Sequence, residues 1–135
     1  GHQGDDRITG ARGVDYVYGG QGRDTIRTGA LDDYIQGEQG ADRIDGETGS
    51  DRIRPGASIP RNPDRAEGGQ GNDTIGIGIG GTGEGGGKFL LGGTGNDVIK
   101  AATGSIDRLI DCGPGDDRAI VDERDPAPRG CETIG

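Results

Sequence analysis

One nine-residue sequence recurs along this chain. It stands as GGQGRDTIR at Gly19–Arg27, as GGQGNDTIG at Gly68–Gly76 and as GGTGNDVIK at Gly92–Lys100. Each copy has glycine at its first, second and fourth positions, aspartate at the sixth and an aliphatic residue at the eighth. Such strict repetition predicts a solenoid, in which each repeat packs only against its neighbours.

The first 54 residues contain six of these units without a gap. The units begin at Gly1, Gly10, Gly19, Thr28, Gly37 and Gly46. Only the Thr28 unit is irregular, because Leu31 stands at the fourth position, where glycine is expected. The first 54 residues are therefore six contiguous repeats.

Beyond residue 54 the phase shifts, and we interpret residues 55–58 and 77–82 as insertions. Further units begin at Ile59, Gly68, Gly83, Gly92, Ala102 and Cys112. In the Ala102 unit, Leu109 takes the eighth position and is expected to point inward. This phasing divides the chain into a solenoid at 1–120 and a C-terminal cap at 121–135.

Composition alone would suggest disorder, because only 27% of the residues are hydrophobic and 32 are glycine. The periodicity favours order instead. The three residues after each aspartate can form a short strand whose central side chain points inward. With two units in each coil, residues 18 apart should stack about 4.8 Å from one another.

Stacking predicts two rows of position-six side chains, one at each edge of the solenoid. The odd row, from the odd-numbered units, is Asp6, Asp24, Asp42, Asp64, Lys88 and Asp107. The even row is Asp15, Asp33, Asp51, Asp73, Asp97 and Asp117. Carboxylates this close repel one another unless they are protonated or bridged by a cation. Oxygen-rich loops suit calcium, although a single aspartate in such a turn can also cap it without metal.

These motifs resemble the RTX, or hemolysin-type calcium-binding, repeats over residues 1–120. The resemblance implies an all-β, right-handed parallel β-roll of about six coils. It also implies several Ca²⁺ ions between stacked loops, each held by carboxylates of two loops and by backbone carbonyls. The aspartates of the two rows would then be the metal ligands.

Lys88 interrupts the odd row at a ligand position. We consider two interpretations: a built-in cation that replaces one calcium ion, or a side chain that points to solvent from a loop without metal.

Cys112 and Cys131 are the only cysteines. A pair that closes a loop at the end of a solenoid favours a disulfide and an oxidising compartment, and the alternative is two free buried thiols. A stapled tail would cap the last coil. The tail resembles the cysteine-containing caps of secreted RTX-type proteins, which implies an extracellular location.

Charge and motif content argue against several other functions. The net charge of −9 disfavours nucleic acid, and no apolar run is long enough to span a membrane. His2 is the only histidine and stands at the terminus. The G-x-G-x-x-G match at Gly78–Gly83 precedes no helix-forming stretch, so we expect no dinucleotide site and no enzymatic activity.

The expected role is therefore a structural or adhesive calcium-binding module. One alternative is the C-terminal module of a larger secreted hydrolase or toxin. A weaker one is an ice-binding roll, for which only Thr94–Asn96 offers suitable loop residues. Tyr16, Tyr18 and Tyr34 should share one outer face, as ordinary surface packing or as a contact for a protein or carbohydrate partner.

Overall fold

The computed structural model describes residues 1–57, 62–76, 88–101 and 106–134, in which short β-strands alternate with glycine-rich turns. The strands are β1 Arg7–Thr9, β2 Tyr16–Gly22, β3 Thr25–Ala30, β4 Tyr34–Gly40, β5 Arg43–Thr48, β6 Arg52–Arg54, β7 Arg65–Gln70, β8 Thr74–Gly76, β9 Phe89–Thr94, β10 Val98–Lys100, β11 Leu109–Asp111, β12 Arg118–Ile120 and β13 Thr133–Ile134. None of the described residues forms a helix with the length and apolarity needed to cross a bilayer.

The strands form two parallel sheets. The odd-numbered strands up to β11 make a six-stranded sheet in the order β1-β3-β5-β7-β9-β11. The even-numbered strands and β13 make a seven-stranded sheet in the order β13-β12-β10-β8-β6-β4-β2. From β1 to β12 the chain passes back and forth between the sheets and completes between five and six turns. The expected all-β parallel solenoid is thus confirmed.

The hydrophobic core is a double column of aliphatic side chains between the two sheets. One residue from each strand between β2 and β12 points inward and is buried: Val17, Ile26, Ile35, Ile44, Ile53, Ala66, Ile75, Leu90, Ile99, Ile110 and Ala119. Like side chains stack in register, as Ile26 on Ile44 and Ile35 on Ile53 show. Each coil adds only two such side chains, worth roughly 1.5–3 kcal/mol each, so the core is thin.

One inward residue differs from the sequence prediction. Ile110, not Leu109, pairs with the buried Leu90 and is itself fully buried. The register shifts because Arg108 is an extra residue between Asp107 and β11. The N–H groups of Arg108 and Leu109 both donate to the carbonyl of Lys88, at 2.9 and 3.3 Å. This two-to-one pairing is the arrangement of a β-bulge.

The fourth position of each loop requires an unusual backbone conformation. Gly22 and Gly49 occupy it with φ of 132° and 138°, a region in which only glycine is unstrained. Leu31 occupies the same position with φ of 83°. Glycine is therefore needed here to turn the chain, and the Thr28 unit tolerates local strain.

The insertions fall only partly within the described residues. Ala57 pairs with Gln39 and donates to the carbonyl of Glu38 at 2.6 Å, so residues 55–57 remain stacked on the preceding coil. Residues 58–61, the expected insertion at 77–82, and residues 83–87 and 102–105 lie outside the described residues. The sheets keep their pairing across each of these segments.

The C-terminal segment continues the solenoid and closes it. Strand β13 adds to β12 in parallel, and Arg129 pairs with Asp111 beside β11. The expected disulfide joins Cys112 to Cys131, with a Cα–Cα distance of 5.4 Å. The tail is therefore cross-linked to the coil that it covers.

Part of the expected tyrosine group is packed on the outer face of the even-strand sheet. The rings of Tyr16 and Tyr34 lie 6.0 Å apart, and the guanidinium of Arg54 lies 5.6 Å from the ring centroid of Tyr34. Gln36 donates to the Tyr34 hydroxyl at 3.0 Å. These contacts are those of ordinary surface packing, while Tyr16 and Tyr18 remain exposed.

Candidate metal sites

The structure stacks the position-six residues into the two expected rows. In each row the backbone N–H of one aspartate donates to Oδ1 of the aspartate in the following coil. The bonds from Asp24 to Asp42 and from Asp33 to Asp51 measure 2.9 and 2.8 Å. The same bond links the other consecutive aspartates of the two rows: Asp6 to Asp24, Asp42 to Asp64, Asp15 to Asp33, Asp51 to Asp73, Asp73 to Asp97 and Asp97 to Asp117.

One oxygen of most row carboxylates accepts no hydrogen bond even though it is buried. Within the described ranges these orphaned Oδ2 atoms belong to Asp24, Asp33, Asp42, Asp51, Asp73, Asp97 and Asp117. Their side chains are at most 3% exposed. A buried charged oxygen without a partner is unfavourable, so each of these atoms needs a proton or a cation.

Glycine at the first position keeps open the space that Oδ2 faces. A Cβ placed on Gly19 would lie 2.6 Å from Oδ2 of Asp24 and 2.5 Å from the carbonyl oxygen of Gly37 in the next coil. No side chain fits there without displacing one of the two oxygens. Oxygens of two successive coils thus converge on one small space, and the same crowding recurs at Gly10, Gly37, Gly46, Gly68 and Gly92.

Burial dominates the electrostatics of the rows. It raises the pKa of Asp42 and of Asp51 to about 7 and that of Asp73 to about 6. The N–H group of the preceding aspartate opposes this rise, and neighbouring carboxylates add to it. Burial likewise raises the pKa of Asp97. A cation in the rows would relieve both the desolvation and the mutual repulsion.

The donor set is made only of oxygen atoms. Within residues 1–57, 62–76, 88–101 and 106–134, no three carboxylate, imidazole or thiolate side chains form a metal-binding group by themselves. An ion in a row would therefore also need backbone carbonyls, which the loops present beside Oδ2. Carboxylate and carbonyl oxygens are the ligands that calcium prefers, so the residues present fit that ion.

The cap extends both rows, which the repeat pattern does not predict. The N–H of Asp107 donates to Oδ1 of Asp125 at 2.9 Å, and the N–H of Asp117 donates to Oε2 of Glu132 at 2.5 Å. Asp125 lies 18 residues after Asp107, so the coil length could have revealed it. Glu132 lies only 15 residues after Asp117, and its longer side chain spans a shortened loop.

The ends of the two rows are closed differently. The second oxygen of Asp125 accepts the N–H of Asp122 at 2.7 Å, so both oxygens of that carboxylate are bonded. On the even edge, Oδ2 of Asp117 remains among the orphaned oxygens. The carboxylate at the cap end of the odd row is therefore fully bonded, while Asp117, the even-row residue next to the cap, keeps an orphaned oxygen.

Thr28 modifies one loop of the even edge. It takes the first position, where other even units have glycine or Cys112, and its side chain is fully buried. Its hydroxyl donates to the carbonyl oxygen of Gly46 at 3.2 Å. Thr28 therefore adds a side-chain donor to a carbonyl of the next loop on the even edge.

A second, exposed row lies beside the even row at the fifth position. The N–H of Ser50 donates to Oδ1 of Asp32, and the N–H of Asn96 donates to Oδ1 of Asn72, both at 2.8 Å. The N–H of Asp116 in turn donates to Oδ1 of Asn96. These side chains brace the loops at the surface and leave the position-six oxygens to face inward.

Comparison with known protein families agrees with this geometry. A family profile for the RTX calcium-binding nonapeptide repeat matches the chain in four copies, at residues 1–26, 27–58, 62–75 and 82–105. Together the copies cover well over half of the 135 residues. Comparison with curated proteins and with solved structures gives no significant match.

Proposed function

Because the chain belongs to the RTX calcium-binding nonapeptide repeat family, we propose that it is a secreted β-roll module that folds on binding calcium. Its role is structural or adhesive and not catalytic. The observation that carries the proposal is the set of buried Oδ2 atoms without hydrogen-bond partners in the two rows. Folding creates these unsatisfied oxygens, so folding and cation binding are coupled.

The aspartates of the two rows are the proposed ligands, together with loop carbonyls. Calcium would supply the positive charge that neutralises two successive carboxylates. The N–H bonds to Oδ1 orient each carboxylate so that Oδ2 faces the space between coils. The glycines keep that space open, and the inward aliphatic column holds the coils in register.

The disulfide supports the proposed extracellular location. Cys112 is fully buried and bonded to Cys131, and such cross-links persist in oxidising compartments. Extracellular calcium modules bind their ions with Kd values of roughly 10⁻⁴–10⁻³ M. We expect affinities in that range.

Circular dichroism and titration calorimetry at pH 7.5 test the proposal. Metal-free protein should lack the β-sheet spectrum and gain it on addition of millimolar calcium. Magnesium at the same concentration should be far less effective, because it requires a smaller octahedral ligand set. A full β-sheet spectrum in metal-free buffer, or the absence of calcium-binding heat, would contradict the proposal.

A further inference from the structure

Lys88 occupies a ligand position in the odd row without disturbing the row. Its N–H donates to Oδ1 of Asp107 at 3.1 Å, as the aspartates of the row do. The N–H of Phe89 donates to the carbonyl of Asp64 at 3.0 Å, the counterpart of the bond from Arg65 to Asp42. The backbone at Lys88 is therefore that of an aspartate in the row, and only the side chain differs.

The Lys88 side chain does not point to solvent. It is 1% exposed and is the largest of the fully buried side chains among the described residues. Lysine is almost never fully buried unless its ammonium is paired with negative groups. The solvent-facing interpretation of Lys88 is therefore wrong.

The row surrounds Lys88 with acidic residues. Asp64 lies in the coil before it and Asp107 in the coil after it, and both are buried. The buried Lys88 side chain therefore adds a positive charge between two carboxylates of the row.

From these contacts we propose that the Lys88 ammonium is an internal cation that takes the place of one calcium ion in the odd row. The inference rests on the proposed calcium function, because it assumes that the remaining row positions bind the metal. The odd row then has two parts: a calcium-dependent part from Asp6 to Asp64, and the Lys88 coil, in which the lysine ammonium balances the negative charge.

Calcium stoichiometry tests the inference. In saturating calcium, Lys88→Asp should bind at least one ion more than the wild type, because the odd row becomes continuous. Lys100→Asp is the matched control: Lys100 is exposed on β10, so the same change of charge should leave the number of ions unchanged. An unchanged count in a folded Lys88→Asp protein would overturn the inference. So would a Lys88→Asp protein that fails to fold in saturating calcium, since the ion would then not replace the ammonium.

A second variant tests the cation without adding a ligand. Lys88→Met keeps an unbranched side chain, one atom shorter, and removes its charge, so it should bind as many ions as the wild type but melt roughly 10 °C lower in saturating calcium. Lys100→Met should melt like the wild type. An unchanged melting temperature for Lys88→Met would show that the charge has no structural role. If the wild type itself binds no calcium, the proposed function fails independently of Lys88.

Discussion

Protons should partly replace calcium in the two rows, so that the metal-free protein folds in mild acid and unfolds near neutrality. The pKa of Asp42 rises from 3.8 to about 7 on folding, and so does that of Asp51. The folded state therefore holds protons that the unfolded chain releases. The resulting stability is fully present below pH 3.8 and is lost as the pH rises through about 7.

The size of this effect follows from the two shifts. Each amounts to about 3 pKa units, and one unit corresponds to about 1.4 kcal/mol, which gives about 4 kcal/mol for each residue. Asp42 and Asp51 belong to different rows, so their contributions add to about 8 kcal/mol. Whole domains are stable by only about 5–15 kcal/mol. Two carboxylates can therefore decide whether the metal-free chain folds.

Far-UV circular dichroism in metal-free buffer between pH 4 and 8 measures this transition directly. The β-sheet signal should be high near pH 4.5 and fall as the pH passes about 6–7, a range set by the pKa values of Asp73 and Asp42. Saturating calcium should prevent this fall of the β-sheet signal, because it neutralises the carboxylates without protons. Conversely, calcium affinity should weaken as the pH falls below about 6, since protons compete for the same oxygens.

Two variants separate the buried row from general charge effects. Asp42→Asn keeps an acceptor for the N–H of Asp24 and should move the metal-free transition to higher pH. Asp116→Asn makes the same change of charge at an exposed position and should leave the transition where it is. Metal-free protein with an equal β-sheet signal at pH 4.5 and pH 8 would refute the reasoning, as would a larger signal at pH 8.

Two further predictions concern the loops and the cap. Gly19→Ala should reduce the number of bound calcium ions by one or lower the affinity for that ion about tenfold, because its Cβ would lie 2.6 Å from Oδ2 of Asp24. Calorimetry measures both quantities, and the control Gln21→Ala, in the same loop, should match the wild type. Reduction of Cys112–Cys131 should lower the stability in calcium by about 3 kcal/mol, since the bond closes a loop of 19 residues. Hydrogen exchange should show the last coil opening first, and uniform opening of all coils would contradict the cap role.

The sequence was sufficient to predict most of the fold, because the eighth position of nearly every unit is the buried one. Ile26, Ile53 and Ile99 show that this held before and after the insertions. The prediction that the eighth position is buried was wrong at Leu109. Asp107 and Leu109 match the repeat, but Arg108 forms a bulge between them. A bulge adds one residue without changing the residue types around it, so the pattern alone favoured the wrong inward side chain.

The sequence predicts the row residues that the regular coil length positions. It does not predict features that depend on a loop of different length or on the packing of neighbouring coils. The rows were foreseen because their members stand 18 residues apart or follow insertions that preserve the motif. Glu132 was missed because the loop before it is three residues shorter and its side chain one methylene longer. The burial of Lys88 was also beyond the sequence, because whether a lysine at a loop position turns inward depends on the coils above and below it.

The direction of the hydrogen bonds has a mechanical consequence. Hydrogen bonds between coils run along the solenoid axis. A pulling force applied at the two ends therefore passes through every coil in series. Each regular coil that yields releases 18 residues, about 60 Å of extended chain. The cross-link from Cys112 to Cys131 withholds a similar length at the C-terminal end. An oxidised molecule can therefore lengthen under load from its N-terminal coils while its last coil stays wound.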